Sequence, residues 1–443
     1  MPQGSGSVRG RKPGTLAPSR DLQNAPIREH WSHGIDVEAP SNYGLRETET
    51  METLTMAAPL FEQHRVIDID THVTEPPDVF TSRIASKWRD DVPQIRDIDG
   101  RDIWMVGDTP IGMPGAYSMA GHTGTIPDFP KKYDEIADSM MKPKARLAFM
   151  DEEKIYANVL YPNVGGFGAA GFLRLNDSEL MLECVRVYND FLFEWASADP
   201  KRLIPVMSTP FWDVQASARE IERCAAKGYR AVLMCNQPQD FGMPFLRDKH
   251  WDPIWAAAQA TGMSVSFHIG GGDLSDLLED PANIGYKANF ARASALVFLD
   301  NGRCLADLIF GGICHRFPDL KMVSVESGVG WIPFVLEALD WQWKNSGVTT
   351  ENPAYDLLPS EYFRRQIYGS FWFEEQGVPH AISCYPDNIL YETDYPHPTC
   401  MAPGPVSAGT HPGIYAEKAL AGVNKQDVAK VLHGNAAVLY GIE

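Results

Sequence analysis

Short apolar runs alternate with helix-period runs along most of this chain, and that alternation limits the fold more than any other feature. Val66–Ile69, Ala157–Leu160, Leu203–Met207, Ala231–Met234, Ser264–Phe267, Met322–Val325, Gln366–Phe371 and Ile389–Tyr391 read as strands. Among the runs between them, Asp177–Ala198 carries Leu180, Met181, Cys184, Val187, Tyr188, Phe191 and Trp195 at helical spacing, opened by Asp177 and Ser178 as capping candidates. Trp212–Lys227, Pro253–Thr261, Trp331–Trp343 and Gln426–Tyr440 follow the same period. Such an alternation predicts an α/β fold, a (β/α)8 TIM barrel, with a doubly wound open sheet as the alternative.

Two stretches break the rhythm. Residues 1–60 are expected to form a flexible N-terminal arm, because the first twenty hold Arg9, Arg11, Lys12 and Arg20 with no acidic residue among many Gly, Ser and Pro. The barrel domain would then span 61–443. Gln94–Ile111 reads as a hairpin turning at Asp99-Gly100, with strands Gln94–Ile98 and Arg101–Val106. A Gly-, Pro- and Met-rich loop, Pro110–Pro130, follows it. The insertion, about 80–140, is expected to be a lid over the barrel mouth.

Charge narrows the partners. With 39 Lys+Arg against 58 Asp+Glu, the net charge of −19 repels phosphate backbones and anionic lipid, so neither nucleic acid nor a membrane surface is expected. No run reaches the roughly 18–20 apolar residues that span a bilayer. The seven cysteines form no CxxC pair and read as reduced thiols of a cytoplasmic protein. No apolar signal region opens the chain.

In a barrel, chemistry gathers at the C-terminal ends of the strands. The first strand runs into Asp68, Asp70 and His72, then Glu75. Period-two alternation puts Asp68, Asp70 and His72 on one face. The fifth strand ends in His268, the sixth in Glu326, and the eighth is followed by Asp394, with His397 three residues on. Carboxylates and imidazoles converging from four strand ends suit a divalent ion such as Zn, Fe or Mn. Singly, each would be a surface or capping group; together they favour a metal.

These segments carry a resemblance. Val66-Ile67-Asp68-Ile69-Asp70-Thr71-His72-Val73-Thr74-Glu75-Pro76, Phe267-His268-Ile269-Gly270, Arg316-Phe317-Pro318-Asp319-Leu320, Glu326-Ser327-Gly328 and Thr393-Asp394-Tyr395-Pro396-His397 resemble the amidohydrolase-related family, in the branch of aminocarboxymuconate semialdehyde decarboxylase-like enzymes. Gly434-Asn435-Ala436-Ala437-Val438-Leu439-Tyr440 resembles its closing helix, so the likeness covers about 65–443. It implies a metal-bearing TIM barrel that catalyses hydrolysis or non-oxidative decarboxylation of a small, partly apolar organic substrate. It implies metal-ligand roles for His72, His268 and Asp394. Asp70 stands where those decarboxylases often have His or Glu. Glu326 stands where they usually have a catalytic His, and a Glu matches an imidazole's proton shuttle near neutral pH only if its pKa is raised.

Charge counting leaves two site expectations open. One ion is balanced by Asp70 and Asp394, so Glu326 would be a general base and Glu75 salt-bridged. Two ions would balance four carboxylates, giving a dinuclear site of Asp70, His72, Glu75, His268, Glu326 and Asp394, with His397 as a further ligand or as a donor behind the ligands. That set of two His and four carboxylates is also the donor set of di-iron proteins. Hence the alternative function is a dinuclear non-haem iron oxygenase; a third is a non-catalytic partner subunit. In the catalytic readings Glu326, Asp394 and His397 handle protons. Family analogy favours a homodimer, with hetero-oligomers also open.

Other signals weigh less. Gly166-Phe167-Gly168-Ala169-Ala170-Gly171 fits GxGxxG, but the helix cap comes later, at Asn176-Asp177, so a loop is expected rather than a nucleotide site. Gly270-Gly271-Gly272 is read as close backbone passage near the metal. His122, His315 and His433 are read as solvated or structural, and Trp341, Trp343 and Trp372 as core.

Overall fold

In the computed structural model of this protein, the described residues are 59–124, 128–275, 279–398, 400 and 411–443. The arm expected over 1–60 lies outside them, except for Pro59 and Leu60, which open a short helix, Pro59–Gln63.

The strands are β1 (Ile67–His72), β2 (Gln94–Ile98), β3 (Arg101–Val106), β4 (Thr109–Gly112), β5 (Ala157–Tyr161), β6 (Leu203–Ser208), β7 (Ala231–Leu233), β8 (Ser264–His268), β9 (Met322–Val325), β10 (Ile367–Phe371) and β11 (Ile389–Tyr391). Eight of them form one sheet in the order β1-β5-β6-β7-β8-β9-β10-β11. Every neighbouring pair is parallel. An isolated parallel bridge between Thr71 and Tyr395 joins the two ends. The fold is the expected (β/α)8 TIM barrel.

Inside the barrel, Ile67, Ile69, Val159, Val206, Leu233, Val325 and Leu390 pack together, and Tyr440 of the closing helix joins them. The opposite strand faces bury Leu160, Met207, Val232, Val265, Phe267 and Ile389 among the helices. Each such side chain contributes roughly 1.5–3 kcal/mol by leaving water. The helix Ser178–Ala196 shows how sequence sets this layer. Its Asp177 cap accepts from the Glu179 and Leu180 N–H groups, and Leu180, Cys184, Val187, Tyr188, Phe191 and Trp195 face inward. Of the tryptophans expected in the core, Trp343 and Trp372 are buried, whereas Trp341 is 69% exposed.

β2, β3 and β4 form a separate antiparallel sheet. Asp99 and Gly100 have φ of 51° and 78°, both left-handed, as the tight two-residue turn requires. The loop after β4 lies on the rim. The Met119 and Ala120 N–H groups donate to the Pro396 carbonyl at 2.8 and 3.1 Å, and Thr74 Oγ1 meets Ser118 Oγ at 2.7 Å.

The pairing of β1 with β5 slips between Asp68 and Thr71. This corrects the expected shared face. Ile67 and Ile69 stay inside the barrel. Asp68 instead faces the seam, where its oxygens accept from Thr393 N at 2.9 Å and Thr393 Oγ1 at 2.6 Å. Beyond the slip, Asp70 and His72 reach the site.

Candidate metal centre

Asp70, His72, His268 and Asp394 are fully buried at the C-terminal ends of β1, β8 and β11; Glu326 and His397 are 7% and 5% exposed. His72 Nε2 lies 3.3 Å from both Asp70 Oδ1 and Asp394 Oδ1. His268 Nε2 lies 3.5 Å from Asp70 Oδ2 and 3.3 Å from Glu326 Oε2. His397 Nδ1 is 2.8 Å from Asp394 Oδ1. Among the described residues, three overlapping trios can each bring one ligand atom per residue within 4.8 Å of the others: Asp70/His72/His268, His72/Asp394/His397 and Asp70/Glu326/Asp394.

The backbone is bent to achieve this. Glu326 and Asp394 have φ of 56° and 58°, left-handed values rare outside glycine. Each costs about 1–3 kcal/mol, a strain that collects at functional sites. Glu374 props the first turn, its carboxylate accepting from the Val329 and Gly330 N–H groups at 2.9 and 2.7 Å.

The donors suit a cation. Both Asp70 oxygens and the Nε2 atoms of His72 and His268 are buried without a hydrogen-bond partner of good geometry among the described residues. Burying such atoms unsatisfied is expensive, and a bound ion is what this donor set lacks. His268 Nδ1 sits 2.8 Å from the Ile269 carbonyl, which can only accept, so the ring donates there and turns Nε2 to the cluster. Burial alone would raise Asp70, but His268 and His72 hold its carboxyl down at about 2. Burial opposes charge on His268, yet Asp70 and Glu326 lift it to about 9. Burial raises Glu326 to about 8, and the charge of Asp70 adds to this while His268 opposes it. Burial, with Glu326 and Asp70, pushes Asp394 well above the carboxylate range.

Glu75 departs from the expected ligand set and from the expected salt bridge. Its Oε1 accepts from the Asn163 and Val164 N–H groups at 2.9 and 3.1 Å and from Tyr188 OH at 2.8 Å. Three hydrogen bonds, rather than a cation, satisfy it. His122, His315 and His433 also lie apart from the trios. Two site residues escaped the sequence reading. Glu392 is fully buried, and its Oε2 accepts from the Glu326 N–H at 3.3 Å; period-two spacing from Asp394 was its available signal. Arg146, also fully buried, donates to the His72 carbonyl at 2.6 Å and the Ser139 carbonyl at 2.7 Å. No local pattern announces it.

Aromatic walls surround the donors. His72 stacks on His397 at 3.6 Å, and Phe167 stacks on His268 at 4.1 Å. Gly166-Phe167-Gly168-Ala169-Ala170-Gly171 runs as a loop into a short 3-10 turn, Ala170–Leu175, and the α-helix begins only at Ser178. A Cβ on Gly271 would lie 3.0 Å from the Phe167 carbonyl, which is the close passage that glycine permits. A narrow cleft, lined by Thr74, Glu75, Trp104, Ile111, Tyr117 and Asn163 among others, lies on the Asn163 side of the cluster.

Comparison with known proteins places the barrel in a family. The family model described as Amidohydrolase matches residues 67–442. A gamma-resorcylate decarboxylase from Polaromonas sp. (strain JS666) is 27% identical over 291 residues, 63% of this chain and 84% of that one. An amidohydrolase from Mycobacterium avium subsp. paratuberculosis superposes with a TM-score of 0.68 at 24% identity, covering 85% of this chain and 99% of the other. A dihydroxybenzoic acid decarboxylase from Polaromonas sp. JS666, crystallised with manganese and the inhibitor 2-nitroresorcinol, gives 0.53 at 18% identity, covering 85% and 97%.

Proposed function

The chain belongs to the amidohydrolase family, and from that premise we propose that it is a divalent-metal-dependent, non-oxidative decarboxylase of a small hydroxylated aromatic carboxylate. The observation that carries the reading is the clustering of Asp70, His72, His268 and Asp394 in overlapping, buried trios whose ligand atoms lie within 4.8 Å of one another. These four would hold the ion. When bound, it supplies Lewis acidity that orients a substrate carboxylate and stabilises negative charge on a neighbouring hydroxyl oxygen.

The protein's own residues would do the rest. Glu326 is the one carboxyl among Asp70, Glu326, Glu392 and Asp394 with any exposure to the mouth, and its raised pKa of about 8 keeps it protonated at neutral pH. It delivers that proton to the ring carbon bearing the carboxylate. The carbon–carbon bond then breaks, its electron pair returns to the ring, and CO2 leaves; water reprotonates Glu326. Phe167, Tyr117 and Trp104 would wall an aromatic ring, and the loop Pro110–Pro130 would serve as its lid. The family also hydrolyses, and the same ion with Glu326 as base would serve an ester or amide. The trio containing both Glu326 and Asp394 favours a second reading in which two ions are bound and Glu326 is a ligand.

None of the three relatives named above is an oxygenase, so turnover is expected to be equal in air and under argon. Manganese-loaded protein is expected to release CO2 from a panel of dihydroxybenzoates and, in D2O, to place deuterium on the vacated ring carbon. Glu326→Gln should keep its metal and lose roughly 10²–10⁴-fold in kcat. Unchanged kcat in that variant sinks the proton-donor role. Turnover that needs O2 would return the assignment to a non-haem iron oxygenase. Full activity in His268→Ala would leave the non-catalytic partner reading standing.

We further propose that the protein works as a homodimer in the cytoplasm. Phe334 and Trp341 are 74% and 69% exposed two turns apart on the helix Ile332–Asn345, an apolar face that favours a partner. None of the seven cysteines is in a disulfide, as a reducing compartment allows.

A further inference from the structure

His397 has two ring nitrogens and, when neutral, one proton to place between them. Its Nδ1 faces Asp394 Oδ1 at 2.8 Å, and its Nε2 faces Asn163 Oδ1 at 2.8 Å. Which nitrogen carries the proton depends on which way the Asn163 amide points. The Asn163 amide nitrogen lies 3.2 Å from the Val73 carbonyl, a group that can only accept. The amide NH2 must therefore face Val73, leaving the Asn163 oxygen toward His397. An oxygen there requires Nε2–H as the donor, so in the neutral ring the lone pair sits on Nδ1, and the close contact of Nδ1 with Asp394 Oδ1 is one that the ring accepts, from an acid proton or a cation, rather than donates.

Asn163 cannot relax from this position easily. Its side chain is buried, and its backbone N–H is tied to Glu75 Oε1 at 2.9 Å. Glu75 Oε1 holds Val164 N and Tyr188 OH as well, so the loop that leads on to Phe167 is pinned at its root. The residue expected to be a ligand thus anchors the residue that orients one. His397 itself is stacked on His72, which limits ring rotation.

We propose that Asn163 is a positioning residue that holds His397 as the Nε2–H tautomer and so presents its Nδ1 lone pair to the ion that His72 and Asp394 would hold. The proposal rests on the metal reading above. Its tautomer half is testable without any metal, which separates failure of the one from failure of the other.

The experiment uses the full chain labelled with 15N-histidine and freed of metal. Two-bond proton–nitrogen NMR correlations identify the tautomer of each ring, and the signal lost in His397→Gln assigns His397. Wild type is expected to show Nε2–H. Asn163→Leu should lose that preference, and Asn163→Asp, which keeps an acceptor, should restore the Nε2 proton. Titration with Mn2+ should then show a 10–100-fold weaker affinity for Asn163→Leu, the range for losing an orienting partner of a ligand. Circular dichroism confirms that each variant is folded. An Nδ1–H tautomer in wild type overturns the proposal whether or not any variant folds. So does Asn163→Leu with an unchanged tautomer, or with a changed tautomer and unchanged Mn2+ affinity. Wild type that shows Nε2–H but binds no divalent ion would instead remove the metal reading.

Discussion

Metal uptake by this protein should expel protons, and the number expelled should report how the cluster is used. The perturbation is addition of Mn2+ or Zn2+ to metal-free protein at a series of pH values. A nitrogen or oxygen coordinates through a lone pair, so any ligand that holds a proton must release it. Asp70, held at about 2, is already ionised, and burial keeps the pKa of His72 below its ordinary value. His268, raised to about 9, is about 99% protonated at pH 7, and burial with its carboxylate neighbours pushes Asp394 well above the ordinary carboxylate range. One ion bound by these four residues therefore expels the His268 proton and any that Asp394 holds, at least one and at most two. The sign follows: the metal-free form binds more protons, so affinity strengthens as pH rises. One to two protons give about 10- to 100-fold per pH unit near pH 7, or roughly 1.4–2.7 kcal/mol per pH unit. The slope falls as pH passes the His268 value of about 9. If two ions bind and Glu326 is a ligand, its proton, held with a pKa of about 8, adds one more below that pH. Calorimetry in buffers of different ionisation enthalpy counts the protons directly, and elemental analysis counts the ions. An affinity that is flat from pH 6 to 8, or that weakens as pH rises, would refute the reasoning.

Two further outcomes follow from the packing. Arg146→Met strands the His72 and Ser139 carbonyls that the guanidinium now satisfies, at roughly 1–3 kcal/mol each, so the thermal midpoint should drop by several degrees and Mn2+ affinity should weaken with it; an unchanged midpoint would show that the brace is dispensable. Light scattering should give twice the chain mass for wild type and a monomer for the double variant Phe334→Asp/Trp341→Asp, whereas a surviving dimer would place the interface on another face.

Much of the barrel could be read from the chain because its strands follow a local rule. β9 and β11 fall on the expected residues, and the other six barrel strands begin or end within a few. The Asp99-Gly100 turn was legible because its left-handed backbone selects those residue types. β4 was not: Thr109-Pro110-Ile111-Gly112 looks like loop, and Pro110 is tolerated only because β4 is an edge strand. The site was legible in its residue types and less so in its geometry. His72, His268, Asp70, Glu326 and Asp394 do come together. Glu75 does not, because it follows β1 and turns to the Asn163 and Val164 backbone. No period-two rule foresees the slip that separates Asp68 from Asp70. Asn163 and Arg146 act through contacts 234 and 74 residues away along the chain, beyond any local pattern.

The slip and the strain have a common origin in how the barrel closes. β1 and β11 share no continuous ladder, only the Thr71–Tyr395 bridge. The seam is made instead by His72 N–H to the Tyr395 carbonyl at 2.7 Å, Asp394 N–H to the Asp70 carbonyl at 3.0 Å, and Asp68 on Thr393. Three of the four donors, Asp70, His72 and Asp394, stand on the two sides of that seam. An ion held among them would cross-link the weakest join in the barrel, and His268 would tie it to the far wall. The left-handed bends at Glu326 and Asp394 and the crowding of buried carboxylates oppose folding, and they are tolerated because the rest of the barrel is deeply buried. Binding repays part of that cost as RT ln(1 + [ion]/Kd), about 2.7 kcal/mol at a hundredfold excess over Kd. Where the barrel is least closed by its backbone is thus where its side chains are best arranged to be closed by a metal.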